Sequence, residues 1–375
     1  MIQAQLHKVL QIANTLPSVY IRGKMKYKIS IFFLLATALL SLSCARQGGY
    51  VRIEGYAQGG TYSVIFNTDG VNNAPTEIRD SVEAILRKID FTLSGYNKNS
   101  VLSRFNAGEV IVVDEMFAEI YSMGHDVWKE TSGAVDVSFS PLYDLWGFGF
   151  KNGSLPSAQQ VDSVMSLCGM GLCRASISDR IGQEMAPGSL YLEPHEASSP
   201  QLNYNAIAQG YSCDLVARYL YSIGVKDMMV NIGEIFCDGK NPSGVAWTIG
   251  IDKPADGNNE LGAHLQGVFS VPEGPHGVVT SGNYRKFYVK DGKKYAHTID
   301  PRTGFPVTHN LLSATIVASD AMIADAYATY CMVIGFEEAK AFIESREDLE
   351  GCLVYDDGGE VVTWCSAGLE TRKAM

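Results

Sequence analysis

The run from Ala321 to Phe336 constrains the fold of this chain most. Met322, Ile323, Tyr327, Met332, Val333 and Ile334 make it apolar nearly all round, so as a helix it must be buried. Asp325 is its only ionisable group apart from aromatic and thiol side chains. A buried carboxylate is costly unless it is paired or metal-bound. Thr329 follows four residues on, on the same helical face one turn away. A carboxylate and a hydroxyl so placed offer hard oxygen ligands, suited to Mg²⁺ with further oxygens from a phosphate. A buried Arg, such as Arg302, would satisfy Asp325 equally well, and spacing leaves both readings open.

Other elements must enclose such a helix, and the sequence supplies them. Gly59 to Phe66 reads as a glycine-led strand. Pro75-Thr76 starts a helix with Ile78, Val82, Ile85, Leu86 and Ile89 on one face. Thr92 to Asn106 reads as a polar loop, and further helices are predicted over Glu115 to Thr131, Ser157 to Leu167 and the stretch ending at Ile223. Strands are predicted at Met228 to Gly233, Trp247 to Ile251, Gly267 to Val271 and Val278 to Thr280. Asp291-Gly292 marks a hairpin between Tyr288-Val289 and Tyr295-Ala296. Glu337 to Arg346 is helical, and Gly351 to Tyr355 and Val361 to Trp364 flank a turn. Pro141 to Gly149 forms an aromatic and glycine cluster, readable as a hydrophobic plug beneath a loop. Strands and helices interleave with no internal repeat or linker. The expectation is therefore one compact α/β (α+β mixed) domain over 59–375, with mixed sheets and flanking helices.

The N-terminus stands apart. Arg22, Lys24, Lys26 and Lys28 precede the apolar segment Ile29 to Leu42, which ends in Ser43-Cys44. That order reads as an export signal over 1–44, with lipid on Cys44 and an upstream extension before Met25. Residues 45–58 then read as a tether leading into a strand. The apolar run is short for a membrane span, and a retained anchor is the competing reading. The expected location is outside the cytoplasm, lipid-anchored to a bacterial membrane and facing the periplasm or cell exterior.

Five of the 30 Lys and Arg precede Cys44, and all 41 Asp and Glu follow it. The remainder carries a formal charge near −16. A field of that sign argues against nucleic acid as a partner, so a phosphate ligand needs local cations or a metal. The seven later cysteines are scattered and show no paired zinc spacing. They are expected as small buried hydrophobes, with a disulfide allowed but its pairing undetermined. No G-x-G-x-x-G, G-x-x-x-x-G-K-[ST], G-x-S-x-G or H-E-x-x-H occurs, which removes support from Rossmann, P-loop, esterase and zincin chemistry.

Two more features sit near the Asp325 helix. His297 precedes the turn Asp300-Pro301-Arg302-Thr303-Gly304 and could serve as a general base or position a phosphate. Gly59-Gly60-Thr61 and Thr280-Ser281-Gly282-Asn283 permit close backbone approach to a ligand, as ordinary turns also do.

Seven blocks in order then resemble the ApbE family, the FAD:protein FMN transferases. They are Gly60-Thr61-Tyr62, Leu93 to Tyr96 with Ser100 to Asn106, Thr131 to Gly149, Asn205 to Asp214, Thr280 to Tyr284, His297 to Pro306, and Ala324 to Thr329. The resemblance implies FAD as substrate, bound with Mg²⁺. A Thr or Ser hydroxyl of an acceptor protein, such as an exported or membrane redox subunit, attacks the FMN phosphate and AMP leaves. It implies Asp325, Thr329 and the Ala208 carbonyl as Mg²⁺ ligands, and His297 with Asp325 as catalytic residues. It implies flavin contacts at Gly59, Gly60, Thr61, Tyr96, Ala134, Val135, Asp136, Asn205, Tyr211, Asp214 and Ile299. The chain departs from the family pattern at Gln209, where relatives often have Lys, and at Asn203-Tyr204-Asn205, Gly233-Glu234 and Ala328. FAD hydrolysis to FMN and AMP, and flavin binding without catalysis, are the competing functions.

Overall fold

Eight strands form one antiparallel sheet whose order in space is their order in the chain. They are β1 (Tyr50–Ala57), β2 (Gly60–Asn67), β3 (Met228–Ile232), β4 (Glu234–Asp238), β5 (His276–Gly282), β6 (Leu311–Ala318), β7 (Glu350–Asp357) and β8 (Glu360–Cys365). The computed structural model describes residues 49–148, 155–177, 190–194, 201–254, 264–283, 287–290, 293–369 and 371–372. Within this chain, Gly49–Met375 is one compact unit.

Tight turns join three neighbouring pairs. Gln58 and Gly59 link β1 to β2 at φ 53° and 80°, a two-residue turn whose twist matches that of the strands it joins. Gly233 alone links β3 to β4 at φ 90°, and Gly358-Gly359 link β7 to β8. The other connections leave the sheet. Between β2 and β3 run α1 (Pro75–Leu93), α2 (Val101–Asn106), α3 (Glu115–Glu130), α4 (Ser140–Leu145), α5 (Ala158–Met165) and α6 (Ala208–Ser222). Between β6 and β7 lie α7 (Ala321–Ile334) and α8 (Phe336–Glu344).

The two faces of β5 and β6 explain why α7 is apolar all round. Val279, Ala314, Ile316 and Ala318 pack on Ala324, Ala328, Cys331 and Met332 of α7. Val278 and Val317 face the other way, onto Trp247, Ile249, Ile251 and Phe269. The latter group belongs largely to a small sheet of Thr248–Asp252, Leu265–Ser270 and Thr371–Arg372. The start of α7 is wedged most tightly. A Cβ at Gly277 of β5 or at Gly210 of α6 would run into the Ala321 backbone, so only hydrogen fits at either place.

Several expectations need correcting. Residues 50–57, read as tether, are the edge strand β1 paired along its whole length with β2. The alternation of Val51 and Ile53 with Arg52 and Glu54 was the overlooked signal. The Thr92 to Asn106 loop contains α2, capped by Ser100, whose hydroxyl accepts from Ser103 N at 2.9 Å. The Pro141 to Gly149 cluster begins as α4, and its Leu142 and Trp146 pack with Phe139, Val161 and Ile299. Every pairing in the large sheet is antiparallel rather than mixed. A disulfide joins Cys352 and Cys365 across β7 and β8, which sequence left open. Cys213, Cys237 and Cys331 are buried thiols, as expected.

The 287–290 and 293–296 strands pair as the Asp291-Gly292 signal predicts, while the turn residues lie outside the described residues. So do Tyr284 and everything before residue 49, Cys44 included. Among the described residues no helix is long and apolar enough to cross a membrane.

Candidate functional site

The site is organised around the junction of α6 and α7. Neither helix caps itself: Ile207, the N-cap of α6, has no capping side chain, and Asp320 at the head of α7 makes no capping bond. Each helix instead borrows a carboxylate from the other. Asp325 Oδ2 accepts from Gly210 N at 3.1 Å in the first turn of α6. Asp214 Oδ1 and Oδ2 accept from Ala321 N and Met322 N of α7 at 2.8 and 2.9 Å. The free amides of a helix start are satisfied this way, and the positive ends of both helix dipoles meet the two acids.

That compensation is incomplete. Burial pushes Asp325 up to about 7, with Asp214 nearby adding to the rise and the Gly210 amide opposing it. Burial also raises Asp214 to about 7, against the two amides it caps. Asp325 is 5% exposed, and among the described residues no Lys or Arg pairs with it. Arg302, the alternative partner, is committed to Asp300 through Nε and Nη2, each at 2.9 Å. An acid so placed fits a cation better than it fits nothing. Among the described residues no three His, Cys, Asp or Glu side chains converge as a metal cluster. A metal here would therefore depend on one carboxylate, the half-buried Thr329 hydroxyl one turn along α7, and backbone oxygen.

Ala208 O is engaged inside α6, where Ser212 Oγ donates to it at 2.6 Å. Among the described residues no donor meets the carbonyl of Ala206, just ahead of the helix. Gln58, at the β1–β2 turn, reaches the same place and donates from Nε2 to Ser212 Oγ at 2.5 Å. The Gly59-Gly60-Thr61 stretch is therefore an exposed hairpin tip pinned beside the first turn of α6.

A second group lies along the outer half of α7. His297 is half-buried with Phe148 edge-on at 6.4 Å. Thr298 Oγ1 donates to Asn283 Oδ1 at 2.6 Å, tying the segment to the end of β5. Ile299–Asp300 pairs with Phe305–Pro306, and Trp146 Nε1 donates to Gly304 O at 2.8 Å. His309 Nε2 lies 2.9 Å from Met332 O. Arg302 and the Tyr330 hydroxyl are within electrostatic reach of one another. A third tie runs to the end of α3. Tyr327 OH donates to Glu130 Oε2 at 2.7 Å, and Arg346 Nη1 pairs with Glu130 Oε1 at 2.5 Å. Thr131 to Asp136 begins at the next residue, so α7 is tied to the end of α3 just ahead of it.

The flavin candidates separate accordingly. Tyr96 is 75% exposed and Asn205 is exposed, with its amide donating to Asn203 Oδ1 at 2.8 Å. Ala134 and Val135 are buried behind the tight turn at Ser132 and Gly133. Asp136 accepts from Ser138 N and Oγ at 2.8 and 2.6 Å, and burial raises it above the usual carboxylate range. Ile299 is a core residue beside Trp146. Two candidates need correction. Tyr211 is fully buried, and its hydroxyl donates to Glu119 Oε2 at 2.6 Å. Asp214 has both oxygens occupied by the α7 amides. Each has a place in the helix packing instead of a free polar group for a ligand.

Residues 58–353 match the ApbE family. The chain belongs to the ApbE family. It is 33% identical over 296 residues to the FAD:protein FMN transferase of Escherichia coli (strain K12), spanning 77% of this chain and 80% of that protein. It is 31% identical over 353 residues to the enzyme of that name in Haemophilus influenzae, spanning 92% and 97%. This ApbE-family fold superposes on the apo flavinyl transferase ApbE of Pseudomonas stutzeri with a TM-score of 0.72 and 31% identity, covering 86% and 96% of the two chains. For the flavin transferase ApbE of Vibrio cholerae the values are 0.71 and 27%, covering 85% and 98%.

Proposed function

We propose that the chain moves FMN from FAD to a Thr or Ser hydroxyl of an acceptor protein, with Mg²⁺ bound at the α6–α7 junction. The ApbE kinship makes it a transferase acting on flavin. The observation that carries the proposal is Asp325, a buried carboxylate that meets no cationic side chain among the described residues, held at the start of α6.

Asp325 and Thr329 would hold the ion through side-chain oxygens. The backbone oxygen would come from the start of α6, from Ala208 or from Ala206, whose carbonyl meets no donor among the described residues. Bound there, the ion would offset charge on the pyrophosphate oxygens. His297 takes the proton from the acceptor hydroxyl. That oxygen bonds to the FMN-side phosphorus as the bond to the AMP oxygen breaks, and AMP departs. The exposed Gly59 to Thr61 tip, Tyr96 and the turn before Ala134 would bear on the flavin nucleotide.

The acceptor is taken to be an exported or membrane-bound redox subunit, and this chain to be tethered outside the cytoplasm through a lipid on Cys44. The Cys352–Cys365 disulfide supports an oxidising compartment.

The test incubates the purified chain with FAD, Mg²⁺ and a flavin-acceptor domain. Covalent flavin fluorescence on the acceptor, with AMP released in equal amount, is the expected result. AMP without labelled acceptor would instead mean hydrolysis, and neither product would leave only binding.

A further inference from the structure

The exchange of caps between α6 and α7 has a regular geometry. Gly210 and Asp214 lie four residues apart on α6, as do Ala321 and Asp325 on α7. The contacts run Gly210 to Asp325 and Asp214 to Ala321, so the two helix starts lie antiparallel and each holds the other's first turn. Asp320, the local candidate to cap α7, makes no capping bond and accepts from Ser319 Oγ instead. Gly210 and Gly277 close on Ala321 without side chains, leaving little room for α7 to shift unless this contact breaks.

The geometry points to Asp214 as a positioning residue of the metal site. By holding the first two amides of α7, it fixes where Asp325 stands relative to the start of α6. This rests on the metal reading above. Asp214 meets the Ala321 and Met322 amides of α7. It acts through the helix, as a partner behind a metal ligand sets the ligand's direction. Removing it would release the first turn of α7, and Asp325 with it.

Mn²⁺ serves as the probe, titrated into the purified full chain and read by electron paramagnetic resonance without FAD. The Mg²⁺ activation constant and kcat of flavin transfer are measured alongside. Asp214→Asn, which keeps one acceptor oxygen, should weaken Mn²⁺ binding and raise the Mg²⁺ constant by about ten- to a hundredfold. Its kcat at saturating Mg²⁺ should stay within a few-fold of wild type. Asp320→Ala, at the same helix start but outside the exchange, should change neither.

A Mn²⁺ affinity in Asp214→Asn equal to wild type overturns the proposal while leaving the metal site standing. If wild type itself binds no Mn²⁺, the metal reading falls and this proposal falls with it. Should Asp214→Asn fail to fold, hydrogen exchange on wild type decides. Mg²⁺ should slow exchange in the first turns of α6 and α7 together, and slowing confined to α6 refutes the coupling.

Discussion

The two ends of the candidate site are built by different physical means. At the α6–α7 junction, position is set by backbone amides. Asp325 and Asp214 together engage three N–H groups of two helix starts, and glycines let sheet and helices touch. At the His297 end, position is set mainly by rings. Phe148 meets His297 edge-on, Trp146 packs on Phe305, and the turn itself is a short two-stranded ribbon. A buried anion needs fixed dipoles, because misplaced charge is expensive in a low dielectric. An imidazole can act while neutral, so contact packing suffices to aim it. Damage should therefore be abrupt at the junction and graded at the His297 end.

Asp325→Ala should have the largest effect. If Asp325 holds the proposed ion, its removal loses several kcal/mol of transition-state stabilisation, about a thousandfold or more in transfer rate. The variant should still fold, because an uncompensated carboxyl leaves the core. Turnover at saturating Mg²⁺ that matches wild type would break the comparison at its stronger end.

His297→Asn comes next. Losing a general base costs about a hundredfold at the lower end of the usual range, seen in kcat more than in FAD affinity. The Mg²⁺ constant should not move. An unchanged transfer rate would remove the proton-accepting role.

The contrast between the ends also explains what the sequence revealed. Asp325 and Thr329 stood out because period 3.6 places both on one face of an apolar helix, which is local information. Burial of α7 followed from composition alone. The partners were not legible. Asp214 meets Ala321 across 107 residues and Glu130 meets Arg346 across 216, and no local pattern encodes such pairings. A motif marks Asp214 as special without saying whether it faces a ligand or a helix end. Strand β1 was legible from its alternation but masked by following an apparent signal. The backbone oxygen of the proposed metal site was not legible, because it depends on where α6 starts, and helix boundaries are the least certain part of any sequence reading.

Smaller effects should appear in how pH and metal affect stability. Asp325 has its native pKa raised from 3.8 to about 7. Its contribution is thus fully present below pH 4 and lost as pH rises through about 7. The metal-free chain should lose stability over that window, and Mg²⁺ should restore it by holding the carboxylate ionised. At a hundredfold excess over its dissociation constant, Mg²⁺ adds about 2.7 kcal/mol. That corresponds to a rise of several degrees in Tm. Calorimetry with and without Mg²⁺ should show a larger increment at pH 8 than at pH 5.5, and none in Asp325→Asn. An increment independent of pH would mean that Asp325 is not the acid being neutralised.

Trp146→Phe should give the smallest change and the sharpest separation of the two ends. The substitution keeps an aromatic ring against Phe305 but removes the indole N–H that reaches Gly304 O across 158 residues. An unsatisfied carbonyl costs about 1 kcal/mol or somewhat more, so Tm should fall by a few degrees. The turn carrying His297 would loosen, and transfer should slow by a few-fold, less than in His297→Asn. The Mg²⁺ activation constant should stay at its wild-type value, because Trp146 packs with Phe139, Leu142, Val161 and Ile299 and holds no part of the α6–α7 exchange. A shift in that constant would show that the rings and the helix starts move together, and the two ends would have to be treated as one unit.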